Sequence, residues 1–200
     1  MKTLIKLNFL ILILGLQLGH SQKFKTPDFA INAKYFGLTY HPGGGADGGE
    51  VPYPRSIDDR GYWVLQVGAE VDFDYYINKF VQIRFANALF KDCIDVWSGH
   101  ISLAPRVSYT TDFGLTARFG IGPTLIWRES WWKSDEVQWY NGDGFYGKEE
   151  TNHDIQTAFL WYGGNIEIDY QINEKWGIAY SLIPGYPQVF SNSIGIRRYF

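Results

Sequence analysis

From Trp63 to Ile77 every odd-numbered residue is apolar: Trp63, Leu65, Val67, Ala69, Val71, Phe73, Tyr75 and Ile77. Gln66, Gly68, Glu70, Asp72 and Asp74 stand between them. Successive side chains of an extended chain point to opposite faces, so a period of two specifies a strand with one apolar and one polar face. The pattern returns in Leu115, Ala117, Phe119, Ile121 and Leu125, opposite Thr116, Arg118, Gly120, Gly122 and Thr124. It returns again in Ala158, Leu160, Tyr162, Ile166 and Ile168, set against Asn165, Glu167 and Asp169. Eight stretches of this kind are expected: Phe29–Tyr40, Tyr62–Ile77, Phe80–Phe90, Val96–Thr110, Phe113–Trp127, Ile155–Ile172, Trp176–Ile183 and Val189–Phe200. No helical period of comparable strength is present. The uncharged run from Trp176 to Ile196 is interrupted by Pro184-Gly185-Tyr186-Pro187, which predicts a turn between two strands.

The N-terminal segment reads as an address. Lys2 and Lys6 precede an apolar run from Phe9 to Leu16, and Gly19 and Ser21 occupy the small-residue positions of a signal-peptidase site. Cleavage is expected between Ser21 and Gln22, leaving residues 22–200 as a single barrel domain. The run is too short for a membrane anchor, and no Cys follows it to carry a lipid. Loss of the leader removes two Lys and no acid, leaving 16 basic residues against 21 acidic, a net charge of −5. A mildly acidic exported chain is no nucleic-acid binder driven by bulk positive charge. The lone Cys93 excludes an internal disulfide and reads as a buried or loop thiol.

The connections alternate in length. Tyr40 to Tyr62, Lys91 to Asp95 and Arg128 to Asp154 are moderate or long, whereas Asn78-Lys79, Thr111-Asp112 and Asn173-Glu174-Lys175 are tight. An even strand number with short turns at one end and longer loops at the other is the pattern of outer-membrane barrels. The polar face is rich in small residues, among them Gly68, Ser102, Gly120, Gly122, Gly163, Ser181 and Ser193, which suit a crowded interior better than a soluble surface. The apolar face is large and ends in rings. Aromatic residues make up 18% of the chain, and amphipathic rings favour the two headgroup levels of a bilayer. Trp63, Trp97 and Trp127 are candidates for one level, and Tyr75, Tyr109, Tyr170 and Phe200 for the other.

The final strand places Phe190, Ile194, Ile196 and Phe200 on one face, with Arg198 as a departure from the apolar pattern. It resembles the C-terminal strand of bacterial outer-membrane proteins, whose terminal aromatic is read by the barrel-assembly machinery. Together with the leader, the eight stretches and the loop alternation, it resembles the small OmpA/OmpX-type barrels. That resemblance implies an all-β, eight-stranded antiparallel up-and-down transmembrane barrel with periplasmic termini. Outer-membrane lipid and the assembly machinery are its implied partners. A structural, adhesion or ligand-binding role at the cell surface follows as the expectation. A lipid-modifying barrel enzyme and a soluble lipocalin-like carrier are the alternatives.

On this register Lys34, Arg84, Arg106, Arg118 and Arg197 point into the lumen with Glu70, Asp72, Asp74, Glu167 and Asp169. Five cations against five anions balance, and the cost of desolvating an unpaired charge predicts that they pair. The result would be a salt-bridged plug in the middle and lower part of the barrel that blocks ion flow. Above it, Gln66, His100, Ser102 and Thr124 would line a cavity open to the outside, unless Phe36, Tyr40, Ile126 and Trp161 fill that level.

Signals for chemistry are sparse. His100 and Ser102 share one strand face, the spacing that nucleophilic catalysis requires, with Glu70 as a nominal acid. The pair resembles the His-x-Ser of the outer-membrane lipid A deacylases, but lacks the following Asn, lies on the fourth strand and points inward. A lumenal structural His is the favoured reading. The Gly-rich segment His41 to Glu50 and the run Asn141-Gly142-Asp143-Gly144 each miss the ligand spacing of a calcium loop, so no metal and no cofactor is assigned. Trp131, Trp132, Trp139 and Tyr140 crowd the longest loop. Such rings stack on a surface glycan, contact a protein ligand, cap the barrel or rest on headgroups.

Overall fold

The computed structural model describes residues 25–42, 53–131, 154–185 and 189–200. The leader, its cleavage point, and Trp132, Trp139 and Tyr140 lie outside them. Eight strands form: β1 Phe29–Tyr40, β2 Trp63–Tyr76, β3 Val81–Lys91, β4 Trp97–Thr110, β5 Leu115–Glu129, β6 Ile155–Gln171, β7 Trp176–Gly185 and β8 Val189–Tyr199. Each pairs antiparallel with its neighbour in sequence, and β8 returns to β1, so the sheet closes into a barrel. Around the barrel the strands pair edge to edge, but on the β7 side of β6 the ladder runs only from Ile166 to Gln171, opposite Leu182 to Gly177.

The lower end carries the tight connections, and each has a local cause. Asn78 Oδ1 accepts the amides of Phe80 and Val81 at 2.8 and 3.0 Å, which holds Phe80 in the turn rather than in β3. Asn173 Oδ1 does the same for Lys175 and Trp176 at 2.9 and 3.0 Å. Gly114 has φ 90°, a left-handed conformation that closes the Thr111–Gly114 turn. For that reason β5 starts at Leu115 and not at Phe113. At the upper end Asp58 accepts the amides of Arg60, Tyr62 and Trp63 and launches β2.

The distribution of polarity is inverted relative to a soluble domain. Arg84, Arg106, Arg197, Glu70 and Glu167 are among the largest fully buried side chains. Val71, Phe85, Leu103, Phe119, Ile168 and Ile196 are exposed on the outside. A soluble carrier requires the reverse arrangement, an apolar lining with a charged coat. The expected glycines on the inner face make room for long side chains. A Cβ at Gly120 would lie 2.5 Å from Arg106 Cγ, and one at Gly68 would lie 2.2 Å from Phe90 Cβ.

Two irregularities revise the simple period. The register of β1 shifts after Phe36, on both its β2 and β8 sides, so that Thr39 and His41 turn inward and Tyr40 turns outward against the Trp63 ring at 4.8 Å. Tyr40 therefore does not fill the lumen. The β5–β6 ladder shifts between Gly122 and Thr124. Above this bulge, Ala158 and half-buried Leu160 take the inward parity, while Phe159 and Trp161 are exposed. The expected outward placement of Ala158 and Leu160 is reversed, and Trp161, one of the residues that the alternative placed in the upper lumen, faces outward. A single extra residue on one strand exchanges the faces of everything beyond it.

Candidate functional site

Inward positions of all eight strands converge on one polar cluster. Glu167 of β6 sits at its hub. Its Oε2 is 2.6 Å from Lys34 Nζ and 3.4 Å from Arg84 Nη1, and its Oε1 is 3.0 Å from Arg106 Nη2 and 3.6 Å from Arg118 Nη1. Arg197 Nη2 also pairs with Oε1. All five lumenal cations thus reach one carboxylate.

The other four acids complete the network. Lys34 Nζ is 3.2 Å from Glu70 and also bonds Asp72, and Arg84 pairs with both of those acids. Asp74 receives Arg106 at 2.9 Å and Arg197 at 2.8 Å, and Asp169 pairs with Arg118. Neutral groups that the charge pattern did not single out tie the ions together. Asn32 Oδ1 accepts from Arg197 Nε at 2.7 Å, and Asn165 Oδ1 accepts from Arg84 at 2.7 Å. Ser181 Oγ accepts from Lys34 and donates to Glu167 at 2.9 Å. The Tyr76 hydroxyl accepts from Arg118 and Arg197, and Tyr199 donates to Asp169 at 2.6 Å. Charge-assisted bonds of this kind offset the several kcal/mol of desolvation that each buried ion incurs.

Rings occupy the level above the ions. Phe36 stacks on Phe90 with centroids 4.3 Å apart, and Ala88 and Ile183 pack against the pair. The His100 ring leans on Phe36 at 5.8 Å. Gln66, His100 and Thr124 are buried here, and Ser102 is half-buried opposite Ala86 and Thr124. Ile126 is half-buried as well. Glu70, the nominal acid for a His100–Ser102 nucleophile, is bound to Lys34 and Arg84 in the plug.

A second polar centre sits at the upper rim. Asp92, in the β3–β4 connection, accepts the Ile94 and Val96 amides at 3.0 and 3.2 Å and the Trp131 indole Nε1–H at 3.0 Å. Burial pushes the Asp92 carboxyl above the usual carboxylate range, and the Trp131 and amide bonds counter part of that rise. Arg128 lies 4.1 Å over the Trp131 ring and bonds Gln156 Oε1 at 2.7 Å. Val64, Cys93, Ile94 and Val96 form the apolar layer beneath, with Tyr53 and Trp131 packed on it. Trp131 is therefore half-buried in the rim. Cys93 is a buried free thiol whose pKa burial raises well above its usual value. His41 follows β1 with its ring 4.9 Å from that of Tyr53; burial lowers its pKa to about 4.

No protein-family model and no curated protein matches the chain. Among solved structures it is similar to the N-terminal β-barrel domain of Pseudomonas aeruginosa OprF, with 11% identity and a TM-score of 0.47 over 88% of this chain and 100% of that one. It is similar to the outer membrane protein OprG of the same organism, with 12% identity and a TM-score of 0.49 over 88% and 97%. A third similarity is to Neisserial surface protein A, with 12% identity and a TM-score of 0.45 over 86% and 97%.

Proposed function

We propose that this chain is an outer-membrane barrel with a closed lumen, which serves as a surface-presenting structural, adhesion or ligand-binding protein. One observation carries the reading: the ions are inside and the apolar belt is outside. Such a belt is an aggregation hazard in water, whereas in hydrocarbon a closed barrel satisfies its own backbone and presents the correct surface. Exposed rings lie near both rims, with Trp63 and Trp97 at the upper end and Tyr75, Tyr109, Trp176 and Phe200 at the lower. These are the levels expected of headgroup-seeking aromatics. Arg198 fits this scheme, because its guanidinium lies 5.3 Å from the Trp176 ring and 4.8 Å from the Phe200 ring at the lower rim.

The Glu167 hub supports a closed barrel rather than a channel, since hydrated ions would have to displace multiply bonded charges. Phe200 and the outward face of β8 serve assembly, and the loops at the upper end face the exterior. Fractionation of cells, with gel mobility compared before and after boiling, tests the reading. The protein should enter the outer-membrane fraction, shift on heating and give no steady conductance in a planar bilayer. Recovery in the detergent-free soluble fraction would refute membrane insertion, and a steady ohmic conductance would refute the closed lumen.

A further inference from the structure

On the outside of the barrel, the β1 bulge opens a groove of about 330 Å³ lined by Tyr35, Gly37, Leu38, Leu65, Tyr180, Asn192 and Ile194, with Trp63 at its upper end. Apart from Asn192, Ser193 and the hydroxyls of Tyr35 and Tyr180, its lining is apolar. The bulge pulls β1 out of regular pairing with both neighbours, and side chains take over the carbonyls it frees. Tyr35 donates its hydroxyl to the Gln66 carbonyl at 3.3 Å, and Asn192 Nδ2 donates to the Leu38 carbonyl at 3.1 Å. The Tyr180 hydroxyl donates to Asn192 Oδ1 and so fixes the orientation of the amide. An amide nitrogen carries two protons, and Asn192 spends one on Leu38. The second has no acceptor among the described residues.

We infer that this groove binds one acyl chain of a membrane glycerolipid, whose ester carbonyl accepts the second Asn192 proton. The inference rests on the membrane reading above. The depth of the Tyr180–Asn192 pair favours an ester. Tyr40, Trp63 and Phe190 share one row across β1, β2 and β8, and Asn192 stands two residues below Phe190 on β8. At a rise of about 3.3 Å per residue, two residues along a strand is about 6–7 Å. With the upper rings at the headgroups, Asn192 lies at the depth where acyl esters begin. Leu65 stands level with it, and Tyr35 and Ile194 below continue an apolar trough into the belt. An unbonded amide proton in hydrocarbon is costly, so an oxygen-bearing occupant is favoured over a bare alkyl chain.

The test uses the full chain reconstituted in vesicles of palmitoyl-oleoyl phosphatidylethanolamine, extracted into mild detergent and weighed by native mass spectrometry. Ile194→Trp fills the trough, and Ile196→Trp places the same bulk on the same exposed face outside it. The native protein and Ile196→Trp should each retain one lipid, and Ile194→Trp should retain none. When diester and diether lipids compete, the diester should be retained about threefold to tenfold more, the range for one hydrogen bond. Equal retention in the two variants, no retained lipid in the native protein, equal retention of diester and diether, or a two-chain species covering the groove would each overturn the inference. Failure of the membrane reading is seen separately, as protein that stays in solution and never enters the vesicles.

Discussion

Lys34 of β1 and Glu167 of β6 meet inside the barrel with Nζ 2.6 Å from Oε2, although 133 residues separate them in sequence. Neither lies on a strand that pairs with the other's. Their contact therefore reports barrel closure rather than local pairing. Because Glu167 also receives four arginines, its loss leaves buried cations unmatched. Glu167→Gln is expected to destabilise the barrel by about 3–5 kcal/mol, the cost of breaking a buried ion pair from one side. Lys34→Met combined with Glu167→Gln restores equal numbers of opposite charges and should cost less than the sum of the two single changes. Urea midpoints of the folded barrel in detergent measure both. Additive losses would show that the two residues do not interact.

Gly120 stands where the Arg106 side chain crosses the inner wall. A Cβ there would approach Arg106 Cγ to 2.5 Å and displace the guanidinium from Asp74 and Glu167. Gly120→Val should lower stability by about 1–3 kcal/mol or more, as overpacking does. Ile121→Val, one residue on and exposed, should leave the urea midpoint nearly unchanged.

The rim predicts a dependence on pH. Burial holds His41 at a pKa of about 4, down from 6.5. The unfolded chain therefore takes the proton first. Stability present above the unfolded value is lost as pH falls from 6.5 toward 4. Between about pH 7.5 and about pH 5, the temperature of the heat-induced mobility shift should fall more in the native protein than in His41→Phe. Equal falls would remove His41 as the source.

Trp131 bonds Asp92 and lies under Arg128, so its role at the rim is separable from its ring area. Trp131→Phe keeps most of the packing but leaves the buried Asp92 without the indole donor. The expected cost is about 1–3 kcal/mol. Proteolysis at the upper rim should quicken while the barrel itself stays intact. Unchanged proteolysis would show that the indole bond does not hold the rim.

Much of this architecture is legible because one face of each strand is so uniform. The interval Phe29–Tyr40 emerges as β1 with the same bounds, and the ten lumenal ions follow from parity alone. Parity fails where a strand carries an extra residue. The shift after Phe36 and the shift beside Gly122 exchange faces without breaking the run of extended residues, so Tyr40, Ala158 and Trp161 could not be oriented from spacing. The neutral partners were hidden for another reason. Asn32, Tyr76 and Tyr199 carry no charge, and only the meeting of distant strands shows that they bridge ions.

The central claim is that the odd residues of β4 face hydrocarbon while its even residues face a packed interior. Spin labels placed singly at Ile101, Ser102, Leu103 and Ala104, in a Cys93→Ser background, read this directly in the reconstituted protein. Labels at Ile101 and Leu103 should relax with dissolved oxygen and ignore a water-soluble nickel chelate. Labels at Ser102 and Ala104 should be shielded from both. Relaxation of the Ile101 and Leu103 labels by the nickel chelate would contradict the account.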